Sequence, residues 1–233
     1  MAVIYAVGVG PGDPELLTRK AERIIGNCPV ICAPTGAADA ASYALSIVEH
    51  LLDRSRQEVI TRVFPMQKKG PELEAAWEEA ANEVIERIDN GQDVAFITIG
   101  DPCLYSTFLY LYRIIREKRA DIPVEIIPGI SSINAAAAAA GIPLGIASDR
   151  IAILPATYED YELRKTLKEF DTVVLMKVNR VFDRIFALLL ELGMVDKGVF
   201  IRRVGSPQQE VIFDLSSLVG RELDYLSMLI VRR

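Results

Sequence analysis

Residues 7–18 read VGVGPGDPELLT, three glycines and two prolines directly behind the apolar run Val3–Val9. A short apolar run that ends in such a turn is a buried strand feeding a helix. Asp13-Pro14-Glu15 supplies the helix start, with Asp13 as N-cap and Pro14 where the first-turn N–H has no partner anyway. The helix is expected to run to about Ile25. The glycine spacing approaches the dinucleotide loop G-x-G-x-x-G but departs from it in three ways. The third glycine comes one position early, Pro11 has no N–H to donate to a pyrophosphate, and Asp13 puts a negative charge where the phosphate would sit. The next strand ends at Cys32-Ala33-Pro34, without the acid that would hold a ribose, and no Gly-Lys-Ser/Thr follows the loop for a Walker-type site.

Outward from this stretch the chain keeps alternating. CPVICAP reads as a second strand stopped by Pro34. Pro71 to Asn90 is a helix that places Leu73, Trp77, Val84 and Ile88 on one face and stops before Gly91. DVAFITIG is a buried strand ending in the loop GDPCLYST, followed by a helix from about Ser106 to Lys118 and the strand PVEIIPG. In PGISSINAAAAAAGIP, Ser131 or Ser132 caps a helix that six alanines propagate and Gly141 and Pro143 end. Strands IAILPA, TVVLMK, VFIRRV and LSMLIVRR follow, with helices around Tyr161–Phe170 and Val181–Leu192. This order predicts an α/β protein of two lobes, residues 1–122 and 123–233.

Composition narrows the function. At 233 residues and 51% apolar the chain can bury a sizeable core. A net charge of -6 argues against a nucleic-acid binder, although a local basic patch stays open. Cys28, Cys32 and Cys103 form no disulfide framework or zinc set and read as buried thiols. Charges, glycines or prolines interrupt every apolar run before the roughly 20 residues of a membrane span, and no basic region opens the chain as in a signal peptide. A cytoplasmic protein without a membrane or nucleic-acid partner is expected. His50, the single histidine, lies in the apolar-rich segment ALSIVEHLL and reads as structural or surface; with one histidine, no metal cluster is expected.

Three apolar strands end in loops of the same kind: GPGDPE, IGDPCLYST and PGISS. In an open α/β sheet ligands collect beyond the carboxyl ends of the strands. Three such loops imply a ligand held through backbone contacts that is not a nucleotide phosphate. Together they resemble the tetrapyrrole (corrin/porphyrin) methyltransferase family. The resemblance runs in order from YAVGVGPGDPELLT through GDPCLYSTFLYL and PGISSINAAAAAAGIPL to VVLMK and the terminal YLSMLIVRR, essentially the whole chain. Within the family, GDPCLYSTFLYL, Phe64-Pro65-Met66 and the Ser-Ser after Pro-Gly are most similar to the C(20)-methyltransferases of cobalamin (vitamin B12) synthesis, which act on precorrin-2 or cobalt-factor II.

The resemblance implies S-adenosyl-methionine (SAM) as methyl donor, a cleft for it between two lobes, and a homodimer. It carries cofactor contacts to Pro11, Gly100, Asp101, Leu104, Ser131, Ser132 and Met176. A sulfonium methyl is already electrophilic and a reduced tetrapyrrole meso carbon nucleophilic, so alignment and water exclusion are the protein's main tasks. The proton at C(20) leaves to solvent, Asp101 or Tyr105. Arg62, Lys68, Lys69, Arg113, Arg150 and Lys177 are candidates for the substrate carboxylates. The competing readings are a family member acting at another ring position or on a diphthamide precursor, an NAD-linked oxidoreductase, and a noncatalytic binding module.

Overall fold

The computed structural model describes residues 1–35, 42–63 and 70–233. Phe64-Pro65-Met66, Lys68 and Lys69 lie outside the described residues. The chain divides into two compact units, Met1–Ser131 and Ser132–Arg233. The first unit thus extends past the expected boundary at residue 122. The reason is pairing: the strand at Val124–Ile127 hydrogen-bonds to the first strand of the chain, so it belongs to the first sheet.

The first unit strings together β1 (Ile4–Gly8), α1 (Arg19–Asn27), β2 (Val30–Thr35), α2 (Tyr43–Val48), β3 (Glu58–Val63), α3 (Pro71–Asp89), β4 (Val94–Thr98), α4 (Phe108–Lys118) and β5 (Val124–Ile127). Its sheet has the order β3-β2-β4-β1-β5, and every pairing is parallel. Both faces are covered, which is why β1, β2 and β4 are nearly continuous apolar runs. On one face Ile4, Ala6, Cys32 and Phe96 pack with Trp77, Ala81, Val84, Phe108 and Leu111 of α3 and α4. On the other, Val7, Ile31, Ala33 and Ile97 pack with Ala21, Ile25 and Ile47 of α1 and α2. Each fully buried Phe or Ile contributes about 1.5–3 kcal/mol of hydrophobic stabilisation.

The connection from β1 to β2 passes over β4, and that from β4 to β5 passes over β1, so neighbouring β1 and β4 send their chains in opposite directions. That is a topological switch point, where loops part and leave room at the strand ends.

Several local expectations are corrected. The helix expected from Asp13 to Ile25 is two elements. Asp13 caps a single 3-10 turn, Pro14–Leu16, by accepting from the Glu15 N–H at 2.9 Å. Leu17 and Thr18 are then extended, and the Thr18 hydroxyl caps α1 by accepting from Ala21 N–H. Pro34 does not stop β2 but lies inside it; beyond Cys32 the strand pairs with β3 alone, so the missing N–H is tolerated. Cys28 and Cys32 are buried, and burial pushes both thiols up to about 12. Cys103 is exposed because it sits at the tip of the loop after β4.

The second unit contains α5 (Ser132–Ala140), β6 (Ile151–Pro155), α6 (Asp160–Glu169), β7 (Thr172–Met176), α7 (Phe182–Leu192), β8 (Gly198–Arg202), β9 (Glu210–Ile212) and β10 (Ser227–Arg232). The sheet order is β6-β7-β10-β8-β9, with β6 and β7 parallel and β10 antiparallel to both its neighbours. Leu163, Leu167, Phe182, Ile185 and Leu189 of α6 and α7 pack on Val173, Leu175, Phe200 and Leu229. α5 ends as its glycine implies: Gly141 takes φ +67, and Ile142 N–H returns to the Ala137 carbonyl at 3.0 Å.

Two exposed carboxylates make acid sensitivity testable. The Ser55 hydroxyl and Arg56 hold Asp53 down at about 2, and Arg119 does the same for Asp121. A depressed folded-state value stabilises the fold above the unfolded-chain value near 3.9 and is lost as pH falls through about 2. Urea titrations from pH 5 down to pH 2 should therefore show stability falling, and Asp121→Asn should flatten that fall. An unchanged pH slope in the variant would contradict the Arg119 pairing.

Candidate active site

Three loops at the carboxyl ends of β4, β1 and β5 come together in the first unit. The loop after β1 meets the loop after β4 through an isolated two-residue bridge: Gly100 N–H donates to the Gly10 carbonyl at 2.7 Å, and Gly10 N–H returns to the Gly100 carbonyl at 3.4 Å. Both residues are in the left-handed region, Gly10 at φ +77 and Gly100 at φ +70, where a side chain is strained. The loop after β5 approaches even more closely. A Cβ on Gly8 would lie 2.5 Å from the Gly100 carbonyl oxygen and 2.7 Å from Gly129 N. A Cβ on Gly129 would lie 2.8 Å from the Gly8 carbonyl carbon and closer still to the Gly100 oxygen. Three chain segments therefore touch backbone to backbone, a packing only glycine permits.

Asp101 closes the arrangement. Its Oδ1 accepts from Cys103 N–H at 2.8 Å within its own loop, and its Oδ2 accepts from Gly129 N–H at 3.0 Å across to the loop after β5. At the two ends of the same loop, the buried hydroxyls of Thr98 and Ser106 are 3.1 Å apart, and the Ser106 oxygen also accepts from Phe108 N–H at the start of α4. This hydroxyl pair escapes a reading of residue types because Thr98 ends an apolar strand and Ser106 looks like a helix cap. The signal was two small hydroxyl residues bracketing a Gly-Asp-Pro turn.

The remaining expected site residues fall as follows. Pro11 is buried beside the bridge, and Leu104 is half-buried in a turn onto the Asp101 carbonyl at 3.3 Å. Tyr105 is exposed and takes φ +52, a conformation a bulky residue adopts only where its surroundings impose it. Ser131 ends the first unit half-buried. In the second unit, half-buried Ser132 begins α5. Met176 ends β7 half-buried, its carbonyl accepting from Ala156 N–H at 2.7 Å, and Lys177 follows at φ +58. Asp13, Gly8 and Gly129 were legible as turn chemistry, but the mutual contact of the two glycines was not.

Of the basic candidates, Arg62 is committed to Glu83, Arg113 lies 3.9 Å from Glu117, and Arg150 stands over the Phe170 ring while donating to the Glu169 carbonyl. Lys177 is exposed directly behind Met176. His50 is exposed in a 3-10 turn. Among the described residues no group of three or more His, Cys, Asp or Glu is placed to hold a metal ion. Among the described residues no helix is long and apolar enough to cross a membrane.

The first unit is thus a parallel α/β sheet whose strand-end loops meet through glycine backbone, with Pro11 and a capping Asp13 where a phosphate loop needs free N–H groups. The family follows from comparison. The chain belongs to the Tetrapyrrole (Corrin/Porphyrin) Methylases, whose family model matches residues 3–218.

It is 36% identical over 233 residues to the cobalt-precorrin-2 C(20)-methyltransferase of Salmonella typhimurium, covering 99% of this chain and 96% of that one. It is 35% identical to a probable cobalt-precorrin-2 C(20)-methyltransferase of Methanocaldococcus jannaschii, again covering 99% and 96%. The fold is shared with solved structures of lower identity. The X-ray structure of a cobalt precorrin-4 methyltransferase aligns with a TM-score of 0.74 at 20% identity, over 99% of this chain and 94% of that one. A uroporphyrin-III C-methyl transferase from Thermus thermophilus, complexed with S-adenyl homocysteine, aligns at 0.65 and 22% identity, over 100% and 98%.

Proposed function

We propose that this chain is a SAM-dependent methyltransferase that places a methyl group on C(20) of precorrin-2 or its cobalt-containing counterpart, cobalt-factor II, in cobalamin synthesis. The observation that carries the reading is the end-to-end similarity to relatives from a bacterium and an archaeon that both bear the C(20) name. The loops fit the co-substrate. SAM has an adenosine and an amino-acid tail but no phosphate, and the meeting loops offer carbonyls, N–H groups and no free cation among Gly8–Gly12 or Gly100–Leu104.

SAM supplies an activated methyl when bound. The chain's own residues hold and orient it: Pro11, Gly100, Asp101, Leu104 and Ser131 in the first unit, with Ser132 and Met176 of the second unit named by the family resemblance. In the transfer the C(20)–CH3 bond forms as the S–CH3 bond breaks, S-adenosylhomocysteine leaves with the S–C electron pair, and the C(20) proton passes to solvent or to Tyr105. No nucleophilic side chain is required, since holding carbon, methyl and sulfur in line supplies most of the acceleration. Exposed Tyr105 is the group proposed to pack against the macrocycle. Any cobalt arrives inside the substrate. We further propose that the enzyme works in the cytoplasm as a homodimer.

Calorimetry with S-adenosylhomocysteine tests the co-substrate assignment. Saturable binding at one site per chain is expected, and absence of binding would overturn the assignment.

A further inference from the structure

We propose that Asp101 is a positioning residue rather than the proton acceptor: its carboxylate clamps the loop after β4 to the loop after β5 and thereby fixes the backbone surface on which the co-substrate lies. This rests on the SAM reading above.

The geometry is specific. One carboxylate oxygen takes the Cys103 N–H of its own loop and the other takes the Gly129 N–H of the neighbouring loop, at 2.8 and 3.0 Å. Gly129 is the residue whose backbone lies against Gly8 and Gly100, where no side chain fits. Without the Asp101 acceptor, the Gly129 N–H would lose its partner at the tightest point of the assembly, and hydrogen bonds to charged groups are the stronger kind. Between Asp101 and Phe108 the backbone is held at Cys103, Leu104 and Phe108 by bonds to Asp101 Oδ1, the Asp101 carbonyl and Ser106 Oγ. Tyr105, at φ +52, lies in the stretch these bonds bracket.

Asp101→Asn discriminates the roles. An amide presents one oxygen and one NH2, so whichever way it turns, one of the two backbone N–H groups faces a donor. Amide hydrogen exchange should accelerate about tenfold or more at Cys103 or Gly129, with the interior of β1 and β4 unchanged. S-adenosylhomocysteine affinity should fall roughly tenfold to a hundredfold. Turnover at saturating SAM should keep the acidic limb of its pH profile. Unchanged exchange at both amides would sink the clamp. So would unchanged affinity combined with collapse of turnover and loss of the acidic limb, the signature of a base. Should the asparagine variant not fold, Asp101→Glu, which keeps the charge and displaces the carboxylate by one methylene, is read by the same three measurements. If the wild-type chain binds no S-adenosylhomocysteine, the SAM reading fails, and the exchange result still decides the clamp.

Discussion

Gly129→Ala is expected to cost at least a hundredfold in S-adenosylhomocysteine affinity and to lower the thermal midpoint, while the far-UV signature of both sheets persists. The added methyl would sit 2.8 Å from the Gly8 carbonyl carbon and nearer still to the Gly100 oxygen. Overpacking costs typically 1–3 kcal/mol and more where the neighbours cannot move. Here they are backbone, and they are tied. The Gly100 N–H is bonded to the Gly10 carbonyl, and Gly129 itself is bonded to Asp101. The loops must therefore part, and the surface they make together is lost. Gly26→Ala in α1 is the control with the opposite sign. Nothing lies within 4 Å of its Cβ position and it is in a helix, so alanine should stabilise by about 0.5–1 kcal/mol. Wild-type affinity and melting in Gly129→Ala would contradict the three-loop contact.

Phe108→Ala should be the most damaging core truncation near the site. Phe108 is fully buried, with its ring 5.6 Å from that of Phe96 on β4 and 5.7 Å from that of Tyr112 one turn along α4. Removing a buried phenylalanine costs about 3–5 kcal/mol, because the cavity closes only in part. In a domain of this size that lowers the midpoint by roughly 10 °C. The backbone N–H of the same residue donates to Ser106 Oγ and so joins the loop to α4, and a helix start that repacks around the missing ring should lower ligand affinity along with stability. Tyr161→Ala, truncating a side chain that is 71% exposed, should move the midpoint little. Equal midpoints for the two variants would contradict the assigned core.

Much of this fold was legible because its strands announce themselves. β1, β4 and β7 are apolar runs closed by glycine, proline or charge, and α3 shows its buried face in Trp77, Val84 and Ile88. β3 and β9 were not legible. EVITRV is half-exposed and EVI is three residues long, so neither carries the continuous apolar signal of a buried strand. The split of the first helix hid for a related reason: Asp13 and Thr18 are both good caps, and spacing alone does not say that the chain uses both. The lobe boundary shifted because parallel pairing of β5 with β1 is a long-range fact that no local composition marks.

The site was legible as three glycine loops at strand ends and as a resemblance that spans the chain. What the residues did not reveal was their mutual contact. Gly8, Gly100 and Gly129 are far apart in sequence, and each reads alone as a turn glycine. Asp101 likewise reads as a residue that bonds its own turn, which it does through Cys103. Its second bond, to Gly129, depends on the strand order β4-β1-β5 that brings the two loops beside each other.

The position and source of the transferred methyl are directly measurable. The purified chain should be incubated anaerobically with 13C-methyl-labelled SAM and, in parallel, precorrin-2 and cobalt-factor II, with the product examined by mass spectrometry and NMR. One labelled methyl on C(20) from at least one of the two substrates is the expected result. A labelled methyl at any other ring position, or no transfer to either, would contradict C(20) methylation by this chain.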